Sequence, residues 1–493
     1  MQYTIAIDQS TSATKALLFA ADARLVHHTA VGHRQYYPQP GWVEHDPEEI
    51  LQNTRTAIRR LLDESGVASS AIQSLAITNQ RETVVAWNKT TGKPVYNAVV
   101  WQCNRGASRC EQLIAQGHAA LIREKTGLII NPYFSASGLQ WILDNVNEAI
   151  RCATKDNLLI GTMDTWLIWH LTGGKVHATD YTNASRTLLF NIHTLDWDDE
   201  LLALFSIRRS MLPQVLPCDA VFGTTSVYGL LPEVPIAGVM GDSHGALAGQ
   251  CCFQPGMGKV TYGTGSSIMV NIGEKALPAP GGLVTSVGFS ATGKTWYAFE
   301  GNIHCTGATI QWLAEEAGLI ASADESEPLA VSVCDNGGVY LVPAFAGLGA
   351  PWWDADARAL LCGMSRGTTK AHIVRAALES IAYQIKDLMD LITAESGIVL
   401  KALRVDGGPV KNRFLMQFQA GMLQTPIHRS AVEEASALGA IVMNRLALNQ
   451  LDSLETIACQ RKNDETILPA MSPEQAESLY RGWRKAVERT LLK

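Results

Sequence analysis

Three polar turns, each following an apolar run, carry residue types suited to holding phosphate. The first is Asp8-Gln9-Ser10-Thr11-Ser12-Ala13-Thr14, between apolar runs at residues 3–7 and 15–19. Small residues let backbone N–H groups close on phosphate oxygens, and the hydroxyls of Thr11, Ser12 and Thr14 add donors. Asp8, at a strand end, is a candidate for Mg²⁺ held through water, because that ion sheds its waters reluctantly. The second turn is Gly263-Thr264-Gly265-Ser266-Ser267, between runs at 258–262 and 268–271. The third is Asp406-Gly407-Gly408-Pro409, open enough for backbone to approach a ribose or adenine. Each also reads as an ordinary turn. Their joint occurrence at strand ends is the signal.

A second group suits a hydroxylated acceptor. Residues 238–247 read as a strand, a tight glycine turn and a helix, with Asp242 at the helix start. Asp there is commonly an N-cap. It is also a carboxylate able to take the proton of a hydroxyl attacking a phosphoryl group. Arg81 and Glu82 follow a strand at 74–77 and offer a donor and an acceptor for vicinal hydroxyls; the plain alternative is a surface ion pair. Trp101 and Tyr133 offer aromatic faces to C–H groups, or serve only as core.

These residues need elements to position them. Strand-like and helix-like stretches alternate throughout, which predicts an α/β protein. Asp46-Pro47-Glu48-Glu49 predicts a helix start, with Asp46 as cap and Pro47 in the first turn. The hairpin of the first half recurs in the second, so two related domains are expected, residues 1–245 and 246–493. A chain of 493 residues is too long for one core. Hydrophobic residues are 47% and charged residues 18%, an ordinary globular composition. The net charge of −7 argues against a broad nucleic-acid or anionic-membrane surface. No apolar run approaches the ~20 residues that span a bilayer, and the start lacks a secretory leader pattern. The ten cysteines show no C-x-x-C pair and read as free thiols in a reducing, cytoplasmic setting.

Several longer segments resemble the FGGY carbohydrate kinases, and within them the glycerol kinases. They are residues 40–47 (Pro-Gly-Trp-Val-Glu-His-Asp-Pro), 77–83 (Ile-Thr-Asn-Gln-Arg-Glu-Thr), 91–98 (Thr-Gly-Lys-Pro-Val-Tyr-Asn-Ala), 180–187 (Asp-Tyr-Thr-Asn-Ala-Ser-Arg-Thr) and 344–351 (Ala-Phe-Ala-Gly-Leu-Gly-Ala-Pro). The family's second signature is matched at 359–379, with Gly363, His372, Ala376 and Glu379 in place. The resemblance implies two ribonuclease H-like, actin-like ATPase domains with an active-site cleft between them. It implies ATP and Mg²⁺, and transfer of a phosphoryl group to a terminal hydroxyl of a small polyol such as glycerol. It makes Asp242 the base and Arg81, Glu82, Trp101 and Tyr133 the polyol contacts. Asp8, Thr11 and Ser12 match the first phosphate loop, with Lys15 where Arg is usual. Gly263 and Thr264 match the second. Gly307, Gln311, Gly408 and Asn412 match nucleotide contacts.

The chain departs from this pattern at Ser10 (usually Gly), Gly138 (Lys), Ser243 (Gln) and Ser267 (Phe). Ser10 brings a β-carbon to a phosphate loop. Ser243 and Ser267 open space at the acceptor, so erythritol, threitol, a pentitol, a ketopentose and dihydroxyacetone stand beside glycerol as expected substrates. Residues 225–231 lack the basic loop that binds fructose 1,6-bisphosphate in some glycerol kinases, so no such control is expected. A non-kinase actin-like ATPase or an inactive binding relative is the alternative of another class; retention of Asp242, Arg81 and Glu82 speaks against it. The family also implies a homo-oligomer, dimer or tetramer.

Overall fold

The computed structural model describes residues 2–352, 354, 356–430, 434–460 and 464–491. The first apolar run becomes β1, Tyr3–Gln9, antiparallel to β2, Ala13–Ala20, with Ile5 opposite Leu18. β2 pairs antiparallel with β3, Leu25–Gly32. On its other side β1 runs parallel to β4, Ile72–Asn79. An edge strand β5, Val221–Thr225, pairs antiparallel with β6, Val234–Gly241, and β6 runs parallel to β4. The order is β5-β6-β4-β1-β2-β3. The central strands are buried on both faces, which is why they read as near-continuous apolar runs. α1, Pro47–Ser65, covers one face. Asp46 caps it through Glu48 N at 2.9 Å, and Ile50, Ile58 and Leu61 cluster with Ile5, Leu18 and Ile77. β6 leads directly into α2, Asp242–Gly249.

The second half repeats the plan. β7, Met257–Tyr262, β8, Ser266–Gly273, β9, Val284–Ala291, and β10, Lys294–Ile303, form an antiparallel group, and β10 leads into α3, Gly307–Glu315. Beyond α4, Lys370–Ser396, come β11, Ala402–Gly407, α5, Arg413–Leu423, β12, Ile427–Arg429, α6, Ala435–Ala447, and β13, Glu465–Ile467. The sheet order is β9-β10-β8-β7-β11-β12-β13. Within it β10-β8-β7-β11-β12 has the same directions as β3-β2-β1-β4-β6: two antiparallel steps, then two parallel ones. The doubled ribonuclease H-like architecture expected from the sequence is therefore present.

α6 belongs to the second half of the chain but packs on the first sheet. Its Ala437, Leu438, Ala440 and Ile441 cluster with Ala6, Leu17, Phe19 and Ala76. α2 and α6 cross backbone to backbone. A Cβ on Gly249 would lie 1.9 Å from Ala435 O, and one on Gly439 would lie 1.9 Å from Gly245 O. The boundary expected at residue 245 falls inside α2. Among the described residues no helix is long and apolar enough to cross a membrane.

Candidate active site

Parallel strands point their C-terminal ends the same way, so the first sheet delivers β1, β4 and β6 to one rim. Asp8 sits near the end of β1, the Arg81–Glu82 step just after β4, and Asp242 just after β6. Asp242 is the first residue of α2 and not its N-cap. That position is Gly241, whose N–H donates to Thr182 Oγ1 at 2.9 Å. Thr182 in turn donates to buried Asp180 at 2.6 Å. A Cβ at 241 would stand 2.6 Å from Arg81 Cγ, so glycine there lets Arg81 reach the carboxylate.

Arg81 and Glu82 are 6% and 3% exposed, and the surface-pair reading is overturned. Each is paired with a residue far away in sequence. Arg81 Nε donates to Asp242 Oδ1 at 3.0 Å, and its Nη1 and Nη2 grip Glu300 at 2.8 and 2.9 Å. Nη2 also donates to Ser243 Oγ at 3.2 Å. Arg186 Nε donates to Glu82 Oε1 at 2.6 Å, and its Nη1 lies 2.9 Å from Glu300 Oε2. The result is one chain of alternating charge, Asp242, Arg81, Glu300, Arg186 and Glu82, buried except at Asp242, whose side chain is 37% exposed. Burial opposes ionisation of Glu300, yet Arg186 and Arg81 outweigh it and hold its carboxyl well below the usual carboxylate range. Burial pushes the Glu82 carboxyl up, against the pull of Arg186 and Arg81. Glu82 is held at φ +62°, a left-handed conformation that costs a non-glycine residue energy and clusters at functional sites.

Trp101 and Tyr133 meet edge to face with centroids 5.5 Å apart. Trp101 Nε1 donates to Thr11 Oγ1 at 3.0 Å, tying the aromatic pair to the first phosphate turn. In that turn Ser10 needs no positive φ. Its N–H and its hydroxyl both donate to Ala13 O at 2.9 Å, closing the hairpin. The Ser10 side chain thus adds a hydroxyl that helps to close the hairpin. Lys15, expected at the phosphates, has its ammonium 2.8 Å from Glu434 Oε1, across to the residue that precedes α6. Burial raises the Asp8 carboxyl to about 7, with Asp242 and Glu434 adding to the rise and Lys15 opposing it. Among the described residues no group of three or more His, Cys, Asp or Glu side chains forms a metal cage. Gly138 is buried against Val99, in the helix Ser135–Asn145.

From the second sheet, Gly263 N donates to Gly265 O at 2.8 Å, and the start of α3 is tied to the same turn by Gly307 N to Gly263 O at 2.9 Å. A Cβ on Gly307 would stand 2.6 Å from Gly263 O. Beside it lies a cavity of about 660 Å³, within the size range of cofactor pockets. Gly307, Gln311, Gly408 and Asn412 all line it, with Ser326 and Lys411. Asn412 also caps α5, accepting from Leu415 N at 2.9 Å, and donates to Ser326 Oγ at 3.2 Å. Ser267, on β8, accepts from Lys259 Nζ at 3.3 Å.

Residues 3–249 match the N-terminal domain of the FGGY family of carbohydrate kinases, and residues 258–448 match its C-terminal domain. The chain belongs to that family. It is an ATP-dependent phosphotransferase. It is 50% identical over 493 residues to a protein named glycerol kinase 2 from Thermotoga maritima, covering 100% of this chain and 99% of the relative. It is 50% identical over 490 residues to a glycerol kinase from Shewanella woodyi, covering 99% of each. The crystal structure of Plasmodium falciparum glycerol kinase with ADP superposes with a TM-score of 0.96 at 38% identity, over 100% of this chain and 99% of that one. A ligand-bound xylulose kinase from Lactobacillus acidophilus shares the fold, with a TM-score of 0.88 at 22% identity over 99% of this chain and 98% of that one. Non-kinase ATPases, the other class open from sequence, are not what these relatives are.

Sequence reading missed Glu300, Arg186 and Lys259 as members of the site. Arg186 lay inside the quoted segment 180–187, Lys259 is the one charge in its strand, and Glu300 directly follows the apolar stretch Trp296–Phe299. A lone charge in a run that must be buried is the signal available, because such a charge needs a partner.

Proposed function

We propose that this kinase transfers the γ-phosphoryl group of ATP to a terminal hydroxyl of glycerol, giving glycerol 3-phosphate. The observation that carries the reading is the Asp242 carboxylate held by Arg81 at the head of the buried charge chain. Both of its hydrogen bonds, from Arg81 Nε and Ser243 N, fall on Oδ1; Oδ2 is the oxygen that takes the substrate proton. Arg81 and Glu82 receive the vicinal hydroxyls, and Trp101 and Tyr133 pack on the carbon chain. Backbone N–H groups of the Thr11–Ser12 and Gly263–Thr264 turns take the phosphates, and the 660 Å³ cavity takes the nucleoside. Mg²⁺, when bound, supplies neutralisation of phosphate charge. Asp8 suits it as a buried carboxylate in need of a cation.

A second reading, a longer polyol or a ketose, is favoured by a separate cavity of about 220 Å³. It is lined by Asn131, Tyr133, Arg186, Glu300, Asn302 and His304, polar groups beside the same charge chain. ADP release with MgATP across glycerol, dihydroxyacetone, erythritol, threitol, xylitol and ketopentoses separates the two. Highest kcat/KM for glycerol is expected. Preference for a four- or five-carbon acceptor replaces glycerol by the second reading. Asp242→Asn is expected to abolish turnover and retain nucleotide binding; substantial residual turnover removes Asp242 from its role.

A further inference from the structure

The face of the second sheet toward α2 carries polar side chains in rows across its strands. Lys259 on β7 pairs with Met269 on β8, and Met269 pairs with Glu300 on β10. One row nearer the strand tips stand Asp406, Thr261, Ser267 and Asn302. Lys259 is 1% exposed. Its Nζ donates to Thr261 Oγ1 at 3.2 Å and to Ser267 Oγ at 3.3 Å, and to no carboxylate among the described residues. An ammonium group has donors only. Both hydroxyl oxygens therefore accept from Lys259, and their own O–H protons must point elsewhere. Thr261 and Ser267 are half-buried where Lys259 is fully buried, so the free direction is the cleft between Asp242 and the Gly263–Thr264 turn.

We infer that Lys259, Thr261 and Ser267 form a donor site for an anionic oxygen of the phosphoryl group in transit, with Lys259 a positioning residue acting through the two hydroxyls. The inference rests on the kinase reading above. A buried ammonium with two neutral partners is poorly compensated. Burial lowers its pKa, with Asp406, Glu300 and Asp242 opposing the fall and Arg81 adding to it. Negative charge arriving on the phosphoryl oxygens supplies the missing compensation. The array is thus better satisfied as that charge develops than before, the condition for lowering a barrier and not merely tightening binding.

The test compares Lys259→Met and the double variant Thr261→Val/Ser267→Ala with wild type. Each is assayed with MgATP and the polyol that wild type uses best, and again for slow polyol-free ATP hydrolysis. Both are expected to lose about 10²-fold or more in kcat, with KM for the polyol nearly unchanged. Lys259→Met is expected to unfold at a higher temperature than wild type, because an apolar chain replaces a poorly compensated cation. The wild-type kcat is expected to fall on the alkaline side as Lys259 loses its proton, and that limb is absent in Lys259→Met. The groups facing Lys259 are Asp406 and Arg404 on β11, Glu300 on β10, Asp242 and His244 on α2, and Arg81 after β4. Burial keeps His244 neutral through that range. Unchanged kcat in both variants overturns the inference. So does a loss confined to KM for the polyol, since the donors would then serve the acceptor. If wild type turns over no polyol, the kinase reading fails separately, and the hydrolysis arm still reads Lys259. If Lys259→Met does not fold, the double variant carries the test.

Discussion

Glu300→Gln is the sharpest perturbation of the buried charge chain. Glu300 comes from the second half of the chain and grips Arg81, from the first, through both oxygens, while Oε2 also faces Arg186. The amide keeps the shape but removes the charge and turns one oxygen into a donor facing guanidinium donors. Removing one partner of a buried ion pair costs about 3–5 kcal/mol. Arg81 retains Asp242 and Arg186 retains Glu82, so the lower end, about 3 kcal/mol, is expected. The functional loss is larger in kind. In the proposed reading Arg81 orients both the base and the acceptor hydroxyls, and a displacement of about 1 Å in such a group costs about 10²-fold. Steady-state assays should therefore show polyol kcat/KM down about 10²-fold with KM for ATP unchanged, together with a lower unfolding temperature. Glu300→Asp, charged but shorter, should fall between. An E300Q enzyme with wild-type kcat/KM for the polyol would refute the claim that Glu300 positions Arg81. The same pair sets an acid limit. The depressed Glu300 pKa contributes stability that is present above the unfolded carboxylate value and lost only as pH falls through its much lower folded value.

Three further outcomes are expected. Asp8→Asn should stabilise the metal- and nucleotide-free protein above pH 7 and not at pH 4. The raised Asp8 pKa of about 7 means stability is lost as pH rises through that value, by roughly 4 kcal/mol at 1.36 kcal/mol per unit; thermal melts across pH in chelator check it. A double-mutant cycle of Lys15→Met and Glu434→Gln, read by denaturant unfolding, should return a coupling of about 1 kcal/mol, as the pair is only partly buried. Gly249→Ala should destabilise by about 3 kcal/mol or more by pushing α2 off Ala435 O, whereas Gly66→Ala, with open space around its Cβ, carries only the backbone strain of its φ of +66°; paired melts separate clash from strain.

Much of this was legible from local pattern. Capping at Asp46, the β1–β2 hairpin, and the strand-to-helix step at Asp242 follow from residues within a few positions of each other, and all three formed. The doubled domain was legible because the same hairpin recurs with glycine at its tip. The place of α6 was not. Its small residues gave no hint that it leaves its own half to lie on the first sheet, a placement that depends on glycine meeting glycine across nearly 200 positions of chain, Gly245 against Gly439.

The site shows the same limit in sharper form. Arg81 and Glu82 are adjacent, and adjacency suggested that each was the other's partner. Their partners lie 219 and 104 residues away, at Glu300 and Arg186. Burial forces this arrangement: two neighbouring charges on a strand end cannot satisfy one another's full set of donors and acceptors, so each must recruit a counter-charge from another element. Glu300 does so from the opposite half of the molecule. The groups proposed to bind the acceptor are therefore in register only when the second sheet is in place beside the first, and the second sheet also carries the cavity proposed for the nucleoside. A displacement that separates the halves breaks the Arg81–Glu300 grip and leaves Arg81 with Asp242 as its remaining ion-pair partner. On the proposed reading acceptor binding and domain approach are linked through one carboxylate, and a variant that weakens it should raise KM for the polyol before it alters the affinity for ATP.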